Sequence, residues 1–99
     1  MSLYALEYDP RTEHELKRLP LRLRRRIDEP LEYLRGAPFR SHPIVQVKAT
    51  SQVHGVWHFH AAKDVRVFYT TQGDVLWVLM VERSRGVSKK AVREIRKRL

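Results

Sequence analysis

Cysteine is absent from this 99-residue chain. Disulfide scaffolds, thiol catalysis and cysteine-based zinc sites are therefore excluded. No apolar run is longer than Val75–Val81, which is far too short to span a bilayer, and the N-terminal residues lack the basic-then-apolar order of a signal peptide. Glycine and proline are few, at four and five residues, and no low-complexity linker or internal repeat divides the chain. Acidic residues are also scarce, 11 against 20 Lys and Arg, which leaves a formal charge of +9. A charge of that size makes a polyanion the default partner. At 42% hydrophobic residues the chain is too apolar for a disordered basic tail. One domain over residues 1–99, without a membrane segment and cytoplasmic, is the expectation.

The charge is unevenly placed. Glu82 to Leu99 holds eight basic and two acidic residues, whereas Asp9 to Gly36 holds eight basic and six acidic. The earlier segment, with its Arg22–Arg26 block, has the composition of a solvated helix surface. The later one has the composition of an electrostatic footprint.

Leu3–Tyr8 has the aromatic and aliphatic content of a strand. Asp9-Pro10 then supplies a helix cap followed by the residue that suits the first helical position. A helix to about Leu19 follows. Leu23, Ile27, Leu31 and Leu34 recur at helical spacing for a second helix, which Pro30 should kink. The period then changes. Ile44–Ala49, Val53–Ala61, Val65–Thr71 and Val75–Val81 are β-rich, and Gln72-Gly73-Asp74 fits a tight hairpin between the last two. Ser88–Leu99 is a helix with Ala91, Val92, Ile95 and Leu99 as its apolar stripe. The order strand, two-helix hairpin, four largely antiparallel strands, helix predicts an α+β fold with the helices on one face of the sheet.

The chemistry concentrates in Gly55-Val56-Trp57-His58-Phe59-His60. Alternation puts Trp57 and Phe59 on one face and His58 and His60 on the other. If the next strand pairs with His60 near Arg66, three basic groups share a face. Lys48 could join from the preceding strand and Arg83 from the end of the last one. Two histidines on a strand are by themselves ordinary surface residues. A mid-strand arginine beside them is less ordinary, because it calls for an ion pair or an anion. A metal site finds no nearby carboxylate pair, and no cofactor is implied. The cluster suits metal-free RNA cleavage, in which the ribose 2′-OH attacks the adjacent phosphate. Imidazoles, with an ordinary pKa of about 6.5, can serve as base and acid, and a fixed guanidinium can stabilise the phosphorane-like transition state. DNA lacks the 2′-OH and is excluded as a substrate for this reaction. His60, nearer Arg66, is the favoured base.

These residues and their order resemble the RelE/ParE toxin superfamily. The resemblance is carried by the Gly55–His60 run, by Asp64-Val65-Arg66-Val67-Phe68-Tyr69, by Leu16-Lys17-Arg18-Leu19-Pro20 and by Val81-Glu82-Arg83-Ser84. It covers nearly the whole chain. It implies the toxin of a type II toxin–antitoxin pair, with a cognate acidic antitoxin that neutralises it. In the RelE branch such toxins cut mRNA in the ribosomal A site, and in the ParE branch they inhibit DNA gyrase without nuclease activity. Carried over residue by residue, Arg66 matches the arginine that stabilises the transition state and Arg83 the second functional arginine near the leaving group. His58 and His60 stand where Lys or Arg is usual, and Lys48 where a basic residue precedes the glycine. Arg85, Ser88, Lys89 and Lys90 are the expected RNA contacts with Lys48. Two departures are plain: the segment between His60 and Arg66 is one residue longer than the pattern, and Ser88 stands where many ribonuclease members have a tyrosine.

Overall fold

In the computed structural model, which describes residues 3–83 and 87–99, the chain runs β1 (Ala5–Tyr8), α1 (Pro10–Lys17), α2 (Leu21–Leu34), β2 (Val47–Ala49), β3 (Trp57–Ala62), β4 (Val65–Gln72), β5 (Val75–Arg83) and α3 (Lys89–Arg98). The strands form one sheet in the order β1-β5-β4-β3-β2. β1 lies parallel to β5, and the other pairings are antiparallel. Among the described residues no helix is long and apolar enough to cross a membrane.

Local chemistry sets the element ends. The Asp9 carboxylate accepts from the Arg11 backbone N–H at 2.9 Å, and Pro10 opens α1 as expected. Burial works against the charged form of Asp9, but the hydrogen bonds from the Arg11 side chain and backbone outweigh it, and the carboxyl sits below its usual range. α1 stops at Lys17, and buried Leu19 packs from the turn before Pro20 starts α2. α2 continues through Pro30, which lies on its buried side. Gly73, at φ +60°, and Asp74 make the two-residue β4–β5 turn, fitting the type II′ geometry that asks for glycine first.

Two strands are shorter than their composition predicts. Ile44 lies in a turn closed by a His42–Val45 bridge, so β2 begins only at Val47. Residues 50–56 form a compact turn in which Thr50 N–H donates to Val56 and Val53 N–H to Thr50. Gly55 there takes φ +80°, a conformation that an extended strand does not use.

Alternation along β3 and β4 divides the interior in two. Phe59, Val65, Val67 and Tyr69 face α1 and α2 and pack with Leu16, Leu19, Ile27, Leu31 and Leu34. The Tyr69 hydroxyl reaches the Pro38 carbonyl from inside this core. On the other side Phe68 and Leu79 pack with Val53, Val56, Val92 and Ile95. α3 therefore lies on the opposite face from α1 and α2, and not beside them as the element pattern predicts. An amphipathic stripe dictates that a helix packs, not on which side of a sheet.

The stripe itself is also displaced by one residue. Ala91, Val92, Ile95 and Arg98 are the buried positions of α3, whereas Leu99 is exposed. The Arg98 guanidinium donates to the Leu79 carbonyl at 2.7 Å and to both Glu15 carboxylate oxygens at 3.0 and 2.9 Å. Glu94 lies 3.3 Å from it. Glu15 in turn accepts from Val81 N–H at 3.0 Å, beyond the end of β1 where the β5 edge would otherwise lack a partner. One arginine thus joins α3, α1 and the sheet edge.

Candidate functional site

The open part of the α3 face is built by pairing register. His60 lies opposite Arg66, His58 opposite Phe68, and Lys48 opposite His58, so these side chains share one face. The register shifts between His60 and Ala62, leaving Ala61 as an extra residue in a β-bulge. The bulge absorbs the additional residue between His60 and Arg66 and keeps those two side chains together. Arg66 Nε donates to His60 Nε2 at 3.0 Å. An accepting Nε2 on a neutral imidazole places the His60 proton on Nδ1.

The two histidines occupy different surroundings. His60 is exposed, and its pKa is lowered by partial burial and by the Arg66 and Lys48 charges. His58 is only 8% exposed, with its ring 5.4 Å from that of Phe68 at the border of the second core. Burial, then Arg66, His60 and Lys48, lowers its pKa to about 4. Both imidazoles are neutral at physiological pH. That suits a base and works against His58 as a proton-donating acid, because a general acid must arrive protonated. The expectation that both imidazoles point away from a core holds only for His60. α3 and the 50–56 turn bring apolar cover to this side as well.

Arg83 is not brought into the cluster. It pairs with Val65, whose side chain is in the core under α1 and α2, so its strand position belongs to the other face. The residue opposite Arg66 is Glu82, whose carboxylate accepts from the Ser88 hydroxyl at 3.3 Å. Parity along the last strand already carries this signal, since Val81 and Arg83 are two residues apart. Ser88 Oγ also accepts from Ala91 N–H at 3.0 Å and caps α3. Lys89 lines a cleft with Gln52, Val92, Arg93 and Arg96, on the flank of α3 nearer β3. Arg96 fixes that flank by donating to the Gln52 carbonyl at 2.9 Å. Lys90 lines a different crevice, with Glu15, Glu82, Arg83 and Glu94. The basic C-terminal segment is thus split between two sides of the helix, and Arg98 is consumed internally. Arg85, expected among the RNA contacts, lies outside the described residues.

Thr50 was not legible as part of the site. Its buried hydroxyl lies 3.0 Å from His58 Nδ1. Among the described residues, no three His, Asp or Glu side chains come together in a group that could hold a metal ion.

No protein-family model and no curated protein matches the sequence. Solved structures do. A mutant of the Escherichia coli toxin RelE in the free state superposes with a TM-score of 0.75 at 18% identity, covering 98% of both chains. RelE in the archaeal RelE–RelB complex from Pyrococcus horikoshii matches with a TM-score of 0.69 at 20% identity, over 87% of this chain and 99% of that one. The YoeB dimer from Staphylococcus aureus matches with a TM-score of 0.66 at 12% identity, over 82% and 97%. This chain has the fold those toxins share.

Proposed function

We propose that this chain, which carries the RelE fold, is the toxin of a toxin–antitoxin pair and cleaves ribosome-bound mRNA without a metal. The observation that carries the reading is the contact of Arg66 with His60, on a face that also holds Lys48 and His58. In the free protein the His60 Nε2 lone pair is occupied by Arg66. A phosphate entering the face attracts the guanidinium, and the lone pair is released beside the ribose. His60 then takes the proton of the 2′-OH as the 2′-oxygen bonds to phosphorus. Arg66 stabilises the charge on the phosphorane, and the bond from phosphorus to the 5′-oxygen breaks. Water or Lys48, not His58, supplies the proton to the leaving 5′-oxygen. The products carry a 2′,3′-cyclic phosphate and a 5′-hydroxyl.

Arg83 keeps the role the resemblance implies, near the leaving group, only if RNA reaches round the end of β5. Lys48 and Lys89 contribute phosphate contacts, with Ser88 and Lys90 at the margin, and Arg85 keeps the RNA contact that the resemblance implies. RelE in the Pyrococcus horikoshii structure is bound to RelB. A cognate acidic antitoxin, folding on this basic surface and neutralising it, follows for this chain. The cytoplasm, where translating ribosomes are, is the place of action.

The test is primer extension on mRNA in a translating lysate supplied with the purified protein. Cuts leaving 2′,3′-cyclic or 3′-phosphate ends, unaffected by EDTA added after ribosome assembly, are expected. Intact mRNA together with trapped gyrase–DNA complexes would instead establish the ParE-type activity.

A further inference from the structure

Thr50 and His58 are both buried, at 5% and 8% exposure, and their side chains meet at 3.0 Å between Oγ1 and Nδ1. A hydroxyl has one proton, and the two possible directions of this bond leave different remainders. If Oγ1 accepted from a protonated Nδ1, the hydroxyl proton would be buried with no second acceptor in contact among the described residues. If Oγ1 donates to Nδ1, only lone pairs are left over, and those are far less costly to bury than a donor. The second direction prevails. Donation to Nδ1 forces the His58 proton onto Nε2. That nitrogen has no protein partner among the described residues and is not among the sealed-off polar atoms, so it is the one a ligand can reach.

We propose that Thr50 is a positioning residue, whose hydroxyl fixes His58 as the Nε2–H tautomer and presents a neutral imidazole donor to the RNA-binding face. His60 carries its proton on Nδ1, because its Nε2 accepts from Arg66. Adjacent histidines on one strand are thereby held in opposite tautomers by two different neighbours. His60 offers a lone pair and His58 offers a proton that it shares but does not transfer. The ligand class is a phosphodiester oxygen, which accepts from Nε2–H in the ground state and more strongly as charge develops. This role rests on the ribonuclease reading. The tautomer itself does not.

The groups facing His58 agree with a neutral ring. Lys48 from β2, His60 from β3 and Arg66 from β4 oppose a second proton there. Arg96 of α3 adds a further positive charge at the neighbouring 50–56 turn, and Glu82 lies beyond Arg66. Protonation of Nδ1 would also turn the Thr50 hydroxyl out of its bond.

The experiment is imidazole nitrogen NMR on the full ¹⁵N-labelled chain across pH 5–8, for wild type, Thr50→Val and Thr50→Ser. In wild type the His58 pattern of a protonated Nε2 and bare Nδ1 is expected throughout the range. Thr50→Val should convert it to a mixture of tautomers with a higher titration point, and Thr50→Ser should restore it. A wild-type His58 carrying its proton on Nδ1, or an unchanged pattern in folded Thr50→Val, overturns the proposal. If Thr50→Val does not fold, the wild-type spectrum decides alone. Cleavage assays form a separate arm. Thr50→Val is expected to lower kcat about tenfold with a smaller rise in KM and the His60 pH limb unmoved, and Thr50→Ser to recover both. An unchanged kcat with the tautomer shifted overturns the donor role. Absence of cleavage in wild type, with the tautomer as stated, counts against the ribonuclease reading and not the Thr50 bond.

Discussion

Arg66 and Arg98 hold the same functional group in two opposite situations. Arg98 is sealed between α3, α1 and β5, with Glu15, Glu94 and the Leu79 carbonyl in contact. Arg66 is partly buried and donates to the neutral His60 imidazole at the open side of the sheet. A guanidinium matched by carboxylates in the interior holds elements together and has nothing to offer a ligand. One that donates to an uncharged ring on an open face can exchange that bond for one to a phosphate. The difference assigns stability to the β5 edge and chemistry to the β3–β4 pair.

The largest effect should come from breaking the first of these. Arg98→Ala leaves the Glu15 carboxylate without its bidentate partner, and loss of one member of such a buried pair costs about 3–5 kcal/mol. Urea unfolding should show it, with any loss of cleavage following the loss of folded protein. On the other side, His60→Ala removes the base and should lower the single-turnover cleavage rate at least about 10²-fold with an unaltered unfolding midpoint. His58→Ala should lose less, which rate measurements on the two variants side by side would check.

Next in size is the pH dependence of stability. Folding holds His58 neutral down to about pH 4, whereas an unfolded-chain histidine titrates near 6.5. The unfolded chain therefore binds more protons between those values, and stability falls as pH drops from 6.5 toward 4. Between pH 7 and pH 4.5 the loss amounts to about 2–3 kcal/mol. Chemical denaturation at pH 7 and pH 4.5 should reveal a difference that His58→Asn largely removes. The smallest expected effect belongs to the flank of α3. Neutralising Lys89, Lys90 and Arg93 together should reduce the salt dependence of ribosome or RNA binding, and Lys89 with Arg93 should account for most of that change because they line one cleft.

Local patterns were legible in the sequence. The Asp9-Pro10 start of α1, the turn at Gly73-Asp74 and the alternation that groups His60 with Arg66 all depend on residues close along the chain or on a single hairpin. Even the extra residue before Arg66 had a local remedy, a bulge at Ala61. What escaped depends on packing between distant segments. The side of the sheet taken by α3 is one case, and burial of His58 follows from it. Arg98 reads as one more solvent charge in a basic tail, yet it falls at the helical spacing of Ala91 and Ile95 and finds Glu15 across 83 positions. Thr50 gave no signal, because its contact with His58 is made by a turn that composition alone describes as strand-like at its far end.

The division between the two arginines is tested most directly by Arg66→Ala, with cleavage and unfolding measured on the same preparation. The account predicts a cleavage rate lowered on the order of 10²–10³-fold, the loss expected when a fixed charge is removed from the site of developing negative charge, at an unchanged unfolding midpoint. Retained cleavage, or a loss of cleavage that merely tracks a loss of stability, would contradict it.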